Sequence, residues 1–225
     1  MTRRRDDRPH RTVLIVVTVA AVGAALAAAG AHWWSASRPA GPGSSPPPGS
    51  APAVEMDGKT LGRPDAPVVI EVYSDFLCSH CADFAREVEP ALVREFVAPG
   101  IVRLAYRNFP VVAPLSAYLA AAGECAADQQ RFWAFHEAAF ARTARRAWRG
   151  AEDVDATVRE AGLDPAAVAA CAQRQEIRAR VETDFREGTR RGVEGTPTLF
   201  VGERRLVGNQ PLDVLRAAIR AAQSR

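Results

Sequence analysis

Residues 67–97 read PVVIEVYSDFLCSHCADFAREVEPALVREFV, and the fold is decided there. The β-branched, apolar run VVIEVY (68–73) has the character of a buried strand, while Phe84, Val88, Leu92 and Phe96 recur at helical spacing over 78–97. A strand therefore feeds a helix, with Cys78-Ser79-His80-Cys81 at the junction. Pro99-Gly100 stops the helix, IVRLAY (101–106) alternates like a second strand, and Asn108-Phe109-Pro110 ends it. A β-α-β unit results.

Further along the chain, residues 116–191 contain no convincing strand. Helical stretches rich in Ala, Arg and Glu are broken at Arg149-Gly150 and at Gly162-Leu163-Asp164-Pro165, where an Asp N-cap precedes Pro at the first helical position. This predicts a helical insertion. Phe132, Trp133, Phe135 and Phe140 form an aromatic stripe within it, read together with His136 as core. After Gly195, TPTLFV turns at Gly202-Glu203 and returns through RRLVG, a hairpin pattern. Leu212, Leu215 and Ile219 then share one face of a closing helix over 212–222. The expected class is α/β, in a single domain spanning 54–225.

Toward the N-terminus, residues 13–31 read VLIVVTVAAVGAALAAAGA without a charge, and as a helix they span roughly 28 Å against a hydrocarbon core of about 30 Å. Arginines precede this run and Trp33 and Trp34 follow it, so the sequence predicts a basic cytoplasmic tail over 1–12 and a transmembrane signal-anchor over 13–34. Everything beyond is expected outside the cytoplasm, as the extracytoplasmic domain of a single-pass protein of the cell membrane. A cleavable signal peptide ending near Ala29 and Ala31 is the competing reading. Residues 35–53, almost wholly Pro, Gly, Ser and Ala, read as a disordered linker. Arg3, Arg4, Arg5, Arg8 and Arg11, set against Asp6 and Asp7, hold the entire charge surplus: of 29 basic and 26 acidic residues, 24 of each remain elsewhere. A domain without net positive charge lacks the electrostatic pull that nucleic-acid binding needs, so no nucleic-acid partner is expected.

The chemistry sits in the CxxC. A helix N-terminus favours an anion, so Cys78 is expected to have a depressed pKa and act as nucleophile, with Cys81 one turn on as the resolving thiol. His80, with Ser79 between the two cysteines, offers a further partner to the Cys78 thiolate, which stabilises the dithiol and makes the disulfide more oxidising. A zinc site would call for a second close ligand pair, whereas Cys125 and Cys171 stand 46 residues apart. A c-type haem requires C-x-x-C-H, and Ala82 follows Cys81. The four cysteines and the oxidising compartment instead predict a second, structural Cys125–Cys171 disulfide, although counting alone leaves three connectivities open.

These residues together resemble the DsbA-like thiol:disulfide oxidoreductases of bacterial envelopes, which have the thioredoxin fold. The resemblance covers residues 56–225 and is carried by LGRPDAPVVIEVYSDFLCSHC (61–81), YRNFP (106–110), ECAADQQRFWAFHEAAF (124–140) and GTPTLFVG (195–202). It implies that Pro197 is cis and that Thr196 and Pro197 lie against Cys78, presenting backbone groups to the substrate chain. It also implies a hydrophobic substrate groove, with Phe76 and Leu77 expected near it. Thioredoxin-fold enzymes often place a buried carboxylate six residues before the nucleophile. Here that position is Val72, and Glu71 and Asp75 are the nearest candidates for proton transfer; alternation points Glu71 away from the face shared by Ile70 and Val72.

The expectation is an anchored oxidase that donates the Cys78–Cys81 disulfide to reduced secreted or envelope proteins through a mixed disulfide at Cys78. It needs no metal or organic cofactor, and by resemblance it is reoxidised by a membrane partner of the DsbB or vitamin-K-epoxide-reductase type. A disulfide reductase or isomerase remains an alternative within the class. A thioredoxin-fold binding or chaperone module, its CxxC incidental, is the alternative outside it.

Overall fold

The structure is a computed structural model and describes residues 54–224. The expected tail, anchor and linker lie outside the described residues. Among the described residues no helix is long and apolar enough to cross a membrane.

Two seven-residue strands, β3 (Val68–Ser74) and β4 (Val102–Asn108), pair in parallel from Val68↔Val102 to Ser74↔Asn108. The second runs beyond the expected 101–106 because Arg107 and Asn108 continue the ladder. On the other side of β3 lies β5 (Thr198–Val201), antiparallel and hairpin-linked to β6 (Arg204–Val207). Two two-residue strands, β1 (Met56–Asp57) and β2 (Thr60–Leu61), complete a six-stranded sheet of order β1-β2-β4-β3-β5-β6. This first hairpin is absent from the sequence reading, since strands so short carry no periodicity.

The segment between β3 and β4 begins as α1 (Ser79–Asp83), widens to a π turn over Phe84–Val88, narrows to α2 (Glu89–Leu92) and widens again over Val93–Val97. Its apolar residues explain the alternation. A strict four-residue repeat drifts roughly 40° per step around an α-helix, and the wider π turns, with Glu89 N–H bonded to Phe84 O and Ala98 N–H to Val93 O, absorb that drift. Phe84, Val88 and Leu92 consequently stay against the sheet face of Ile70, Val72 and Leu104. The closing helix α8 (Leu212–Gln223) adds Leu215 and Ile219 to the same layer.

The insertion consists of α3 (Pro114–Asp128), α4 (Phe132–Ala144), α5 (Ala151–Glu160), α6 (Pro165–Ala172) and α7 (Gln175–Arg190). Asp164 caps α6 by accepting from Ala166 N–H at 3.1 Å, with Pro165 next. Phe76 joins this helical core to the sheet: its ring stacks on Tyr106 at 5.1 Å and meets Phe135 and Phe140 at 5.2 Å each. On the sheet's opposite face α7 comes so near that a Cβ at Gly188 would lie 2.9 Å from Phe109 and Tyr73.

Candidate active site

Strand β3 ends at Ser74, and the next four residues turn the chain so that Cys78 becomes the N-cap of α1. Its sulfur accepts a hydrogen bond from Cys81 N–H at 3.3 Å. As a thiol it also donates to the Thr196 carbonyl at 3.3 Å, which sets the start of β5 against the nucleophile. The Thr196–Pro197 bond is cis. Both cysteines are unbonded thiols, yet they differ in reach. Cys78 is 8% exposed and Cys81 1%, so an incoming sulfur meets Cys78.

Electrostatics separates them further. Hydrogen bonding from the Cys81 thiol, ahead of the opposing effect of burial, pulls the Cys78 pKa down to about 6, helped by Thr196 and by the backbone N–H groups of Cys81 and His80. Burial, and next the hydrogen bond and charge of Cys78, push Cys81 well above the ordinary thiol range, with the Asp75 backbone and the Ser74 side chain acting in the other direction. One thiol is held as the anion and its neighbour as the acid.

The remaining candidate residues divide by position. Ser79 is exposed. His80 reaches Cys78 through its backbone N–H, whereas its imidazole is 75% exposed and lies 4.0 Å from Asp83. Glu71 points to the sheet face opposite Ile70 and Val72, where it bonds Arg107 Nε at 2.8 Å and pairs with Arg191. Asp75 is buried beside the active-site turn and accepts three backbone N–H bonds: from Leu77 at 2.8 Å, Val111 at 2.7 Å and Val112 at 2.8 Å. Its carboxylate therefore braces loops. Cys125 and Cys171 form a disulfide that joins α3 to α6.

Two polar groupings escape the sequence reading. Lys59 ties the first hairpin to Glu124 of α3 and Asp184 of α7, and Asn108 bonds the same two carboxylates, at 2.6 Å and 3.2 Å. That Lys59 is the only lysine was the one available signal. Glu89 and His136 approach to 3.7 Å between α2 and α4, both buried. Among the described residues no group of three His, Cys, Asp or Glu side chains is arranged to hold a metal ion.

Comparison with known proteins follows the same lines. The sequence model of the thioredoxin family matches residues 55–221. A probable disulfide bond formation protein D from Bacillus anthracis is 29% identical over 167 residues, which is 72% of this chain and 76% of the relative. Oxidised BdbD from Bacillus subtilis shares the fold with a TM-score of 0.68 at 19% identity, over 78% of this chain and 100% of that one. A thioredoxin-like oxidoreductase from Silicibacter pomeroyi gives a TM-score of 0.65 at 25% identity, over 76% and 95%. Sequence match, shared architecture and paired thiols converge: the chain belongs to the thioredoxin family, as a protein disulfide oxidoreductase of DsbA type.

Proposed function

We propose that this protein is an oxidase of other proteins' thiols, working outside the cytoplasmic membrane. The observation that carries the direction of reaction is the split between the two cysteines. A thiolate stabilised at Cys78 favours the reduced enzyme, which makes the Cys78–Cys81 disulfide a readily consumed oxidant. A substrate thiolate attacks Cys78 Sγ, the Cys78–Cys81 bond breaks, and Cys81 leaves and takes a proton. A second substrate thiolate then attacks the substrate sulfur of the mixed disulfide and releases Cys78 as the thiolate. The substrate loses two electrons and the enzyme gains them. Because Cys81 favours its protonated form, its return attack on the mixed disulfide is slowed, and the substrate has time to complete its own bond. Thr196 and Pro197, set against Cys78, offer backbone groups to the bound chain, and exposed Ser79 and His80 form the rim that it passes.

The reading extends to the cell. Arginines, an apolar run and two tryptophans in that order support a signal-anchor over 13–34, and a disulfide within the insertion suits an oxidising compartment. Return to the disulfide form requires an acceptor of two electrons, here assigned to a quinone-reducing membrane protein of the DsbB or vitamin-K-epoxide-reductase type.

The reduction potential of Cys78–Cys81, measured in glutathione buffers, tests the direction. About −120 mV is the oxidising end of the family and about −270 mV the reducing end, a gap worth roughly 7 kcal/mol. A value near the first is expected. A value near the second would make the protein a reductant. Cys78→Ser should abolish exchange; full function in that variant would make the protein a binding module.

A further inference from the structure

A cavity of about 520 Å³ lies between α4 and the segment of π turn and α2 that it crosses, and no residue of the active-site turn lines it. Glu89 and His136 project into it. They are 9% and 5% exposed, and neither side chain has a hydrogen-bond partner among the described residues; their 3.7 Å approach is too long for one. Nor are their polar atoms sealed against apolar groups: among the described residues the side-chain atoms closed off without a partner belong to Arg103, Asn108 and Asn209. Two buried polar groups without partners therefore face open space, an arrangement that costs stability unless something enters to complete it.

The chemistry of the walls selects the occupant. Glu87 of the same segment and Glu137 of α4 stand exposed at the rim against Arg86 alone, so with Glu89 the cavity brings three carboxyl groups against one guanidinium. An anion is disfavoured there. Burial keeps His136 neutral, so its unprotonated nitrogen is an acceptor, and Glu89 becomes a second acceptor once it gives up its proton. A nitrogen about 2.9 Å from each bridges the 3.7 Å between them. The rings of Trp133 and Phe140 lie 5.0 Å and 4.7 Å from the imidazole and offer aromatic faces to a cation and apolar surface to the chain that carries it. Two protein ligands fall short of what a bound metal ion needs. We propose that this cavity is a binding site for a primary alkylammonium ion, its nitrogen bonded to Glu89 and His136 and its chain against Trp133 and Phe140. The site is separate from the thiols, and it does not depend on the direction of exchange. Protons balance simply: the ligand enters as the cation, Glu89 ionises to meet it, and the Glu89 proton leaves to solvent.

Isothermal titration of the full-length protein with n-butylamine tests this, with n-butanol and tetramethylammonium beside it. A dissociation constant of about 1 mM or below is expected for the amine, within the reach of a five-atom ligand. Butanol, which has no charge, and tetramethylammonium, which has no N–H, should each bind at least about tenfold more weakly. At pH 6.5, where Glu89 is protonated, the heat should vary with the buffer as release of about one proton requires. Affinity should then increase about eightfold by pH 7.5, following a Glu89 carboxyl with a pKa of about 8. Glu89→Gln should abolish both the proton release and the preference for amine over butanol, while Cys78 alkylation proceeds as in the wild type. E87Q/E137Q, altered only at the exposed rim, should bind the amine about threefold more weakly at low salt. Nα-acetyl-lysinamide identifies the source of the ammonium group: binding equal to that of butylamine assigns the site to lysine side chains of other proteins, and its exclusion assigns the site to a free amine. A wild-type protein that binds no amine, or binds it no better than butanol or tetramethylammonium, overturns the proposal, as does amine binding that Glu89→Gln leaves unchanged.

Discussion

Cys78 and Cys81 are three residues apart and have opposite acidities, and at the residue scale the first depends on the second. The Cys81 thiol is the leading cause of the low Cys78 pKa. Removing it in Cys81→Ala should therefore raise the Cys78 pKa from about 6 by on the order of one unit, the worth of one hydrogen bond to an anion. The pH dependence of Cys78 alkylation by iodoacetamide reports this directly, and an unmoved midpoint would transfer the role to the helix N-terminus and Thr196. Glu71 gives the contrasting case. Its carboxylate faces Arg107 and Arg191 on the side of the sheet away from the helix that carries Cys81. Glu71→Gln should accordingly leave the pH profile of thiol exchange unchanged while lowering stability by about 1–2 kcal/mol, because the partly buried Arg191 guanidinium loses its carboxylate partner and Arg107 is left with Asp184 alone. A shifted profile would restore Glu71 as a proton-transfer residue for Cys81.

At the scale of elements, the insertion is held by the bond between Cys125 of α3 and Cys171 of α6, which closes a loop of 46 residues. Cross-linking a loop of that length removes about 4 kcal/mol of denatured-chain entropy. Replacing both cysteines by Ala should lower unfolding stability by roughly that amount in denaturant titrations with the active-site pair kept reduced, and a loss below about 1 kcal/mol would show that the helices hold one another without it. The order of these elements was legible from sequence because their signals are local: β-branched runs for β3 and β4, Asp164-Pro165 for the start of α6, a CxxC where a strand gives way to a helix. The cis Thr196–Pro197 bond was legible only through family resemblance, since a proline permits the cis form without requiring it. What stayed hidden depends on long-range approach. Nothing in the sequence near Asp75 tells that Val111 and Val112, 36 and 37 residues on, come to its carboxylate, and Glu89 and His136 meet only once α4 lies across α2. The four-residue repeat from Phe84 to Phe96 was visible, but helical geometry had to widen to accommodate it.

For the molecule as a whole, stability against pH depends on a buried pair that the exchange reaction does not use. Burial raises the Glu89 carboxyl from 4.5 to about 8 and lowers the His136 imidazole from 6.5 to about 3. The folded protein therefore keeps Glu89 protonated and His136 neutral where the unfolded chain would ionise both. Glu89 costs nothing below pH 4.5, and its penalty grows as pH rises from there to 8. His136 costs nothing above pH 6.5, and its penalty grows as pH falls from there to 3. Between 4.5 and 6.5 the two slopes oppose and cancel; beyond that plateau stability falls on both sides, by about 2 kcal/mol between pH 6.5 and 8. Cys78 adds a redox dependence. Its folded pKa of about 6 lies below its ordinary value of 9, so in the reduced protein it contributes stability that increases from pH 6 to 9 and offsets the Glu89 loss. A disulfide does not titrate, which leaves the oxidised protein with the loss alone. Urea unfolding at pH 5.5, 6.5 and 8 should show the oxidised form weakening across the last interval while the reduced form holds nearly level, and Glu89→Gln should remove most of the decline in the oxidised form. An alkaline decline that persists unchanged in Glu89→Gln would assign it to other groups and leave the Glu89 carboxyl ionised in the fold.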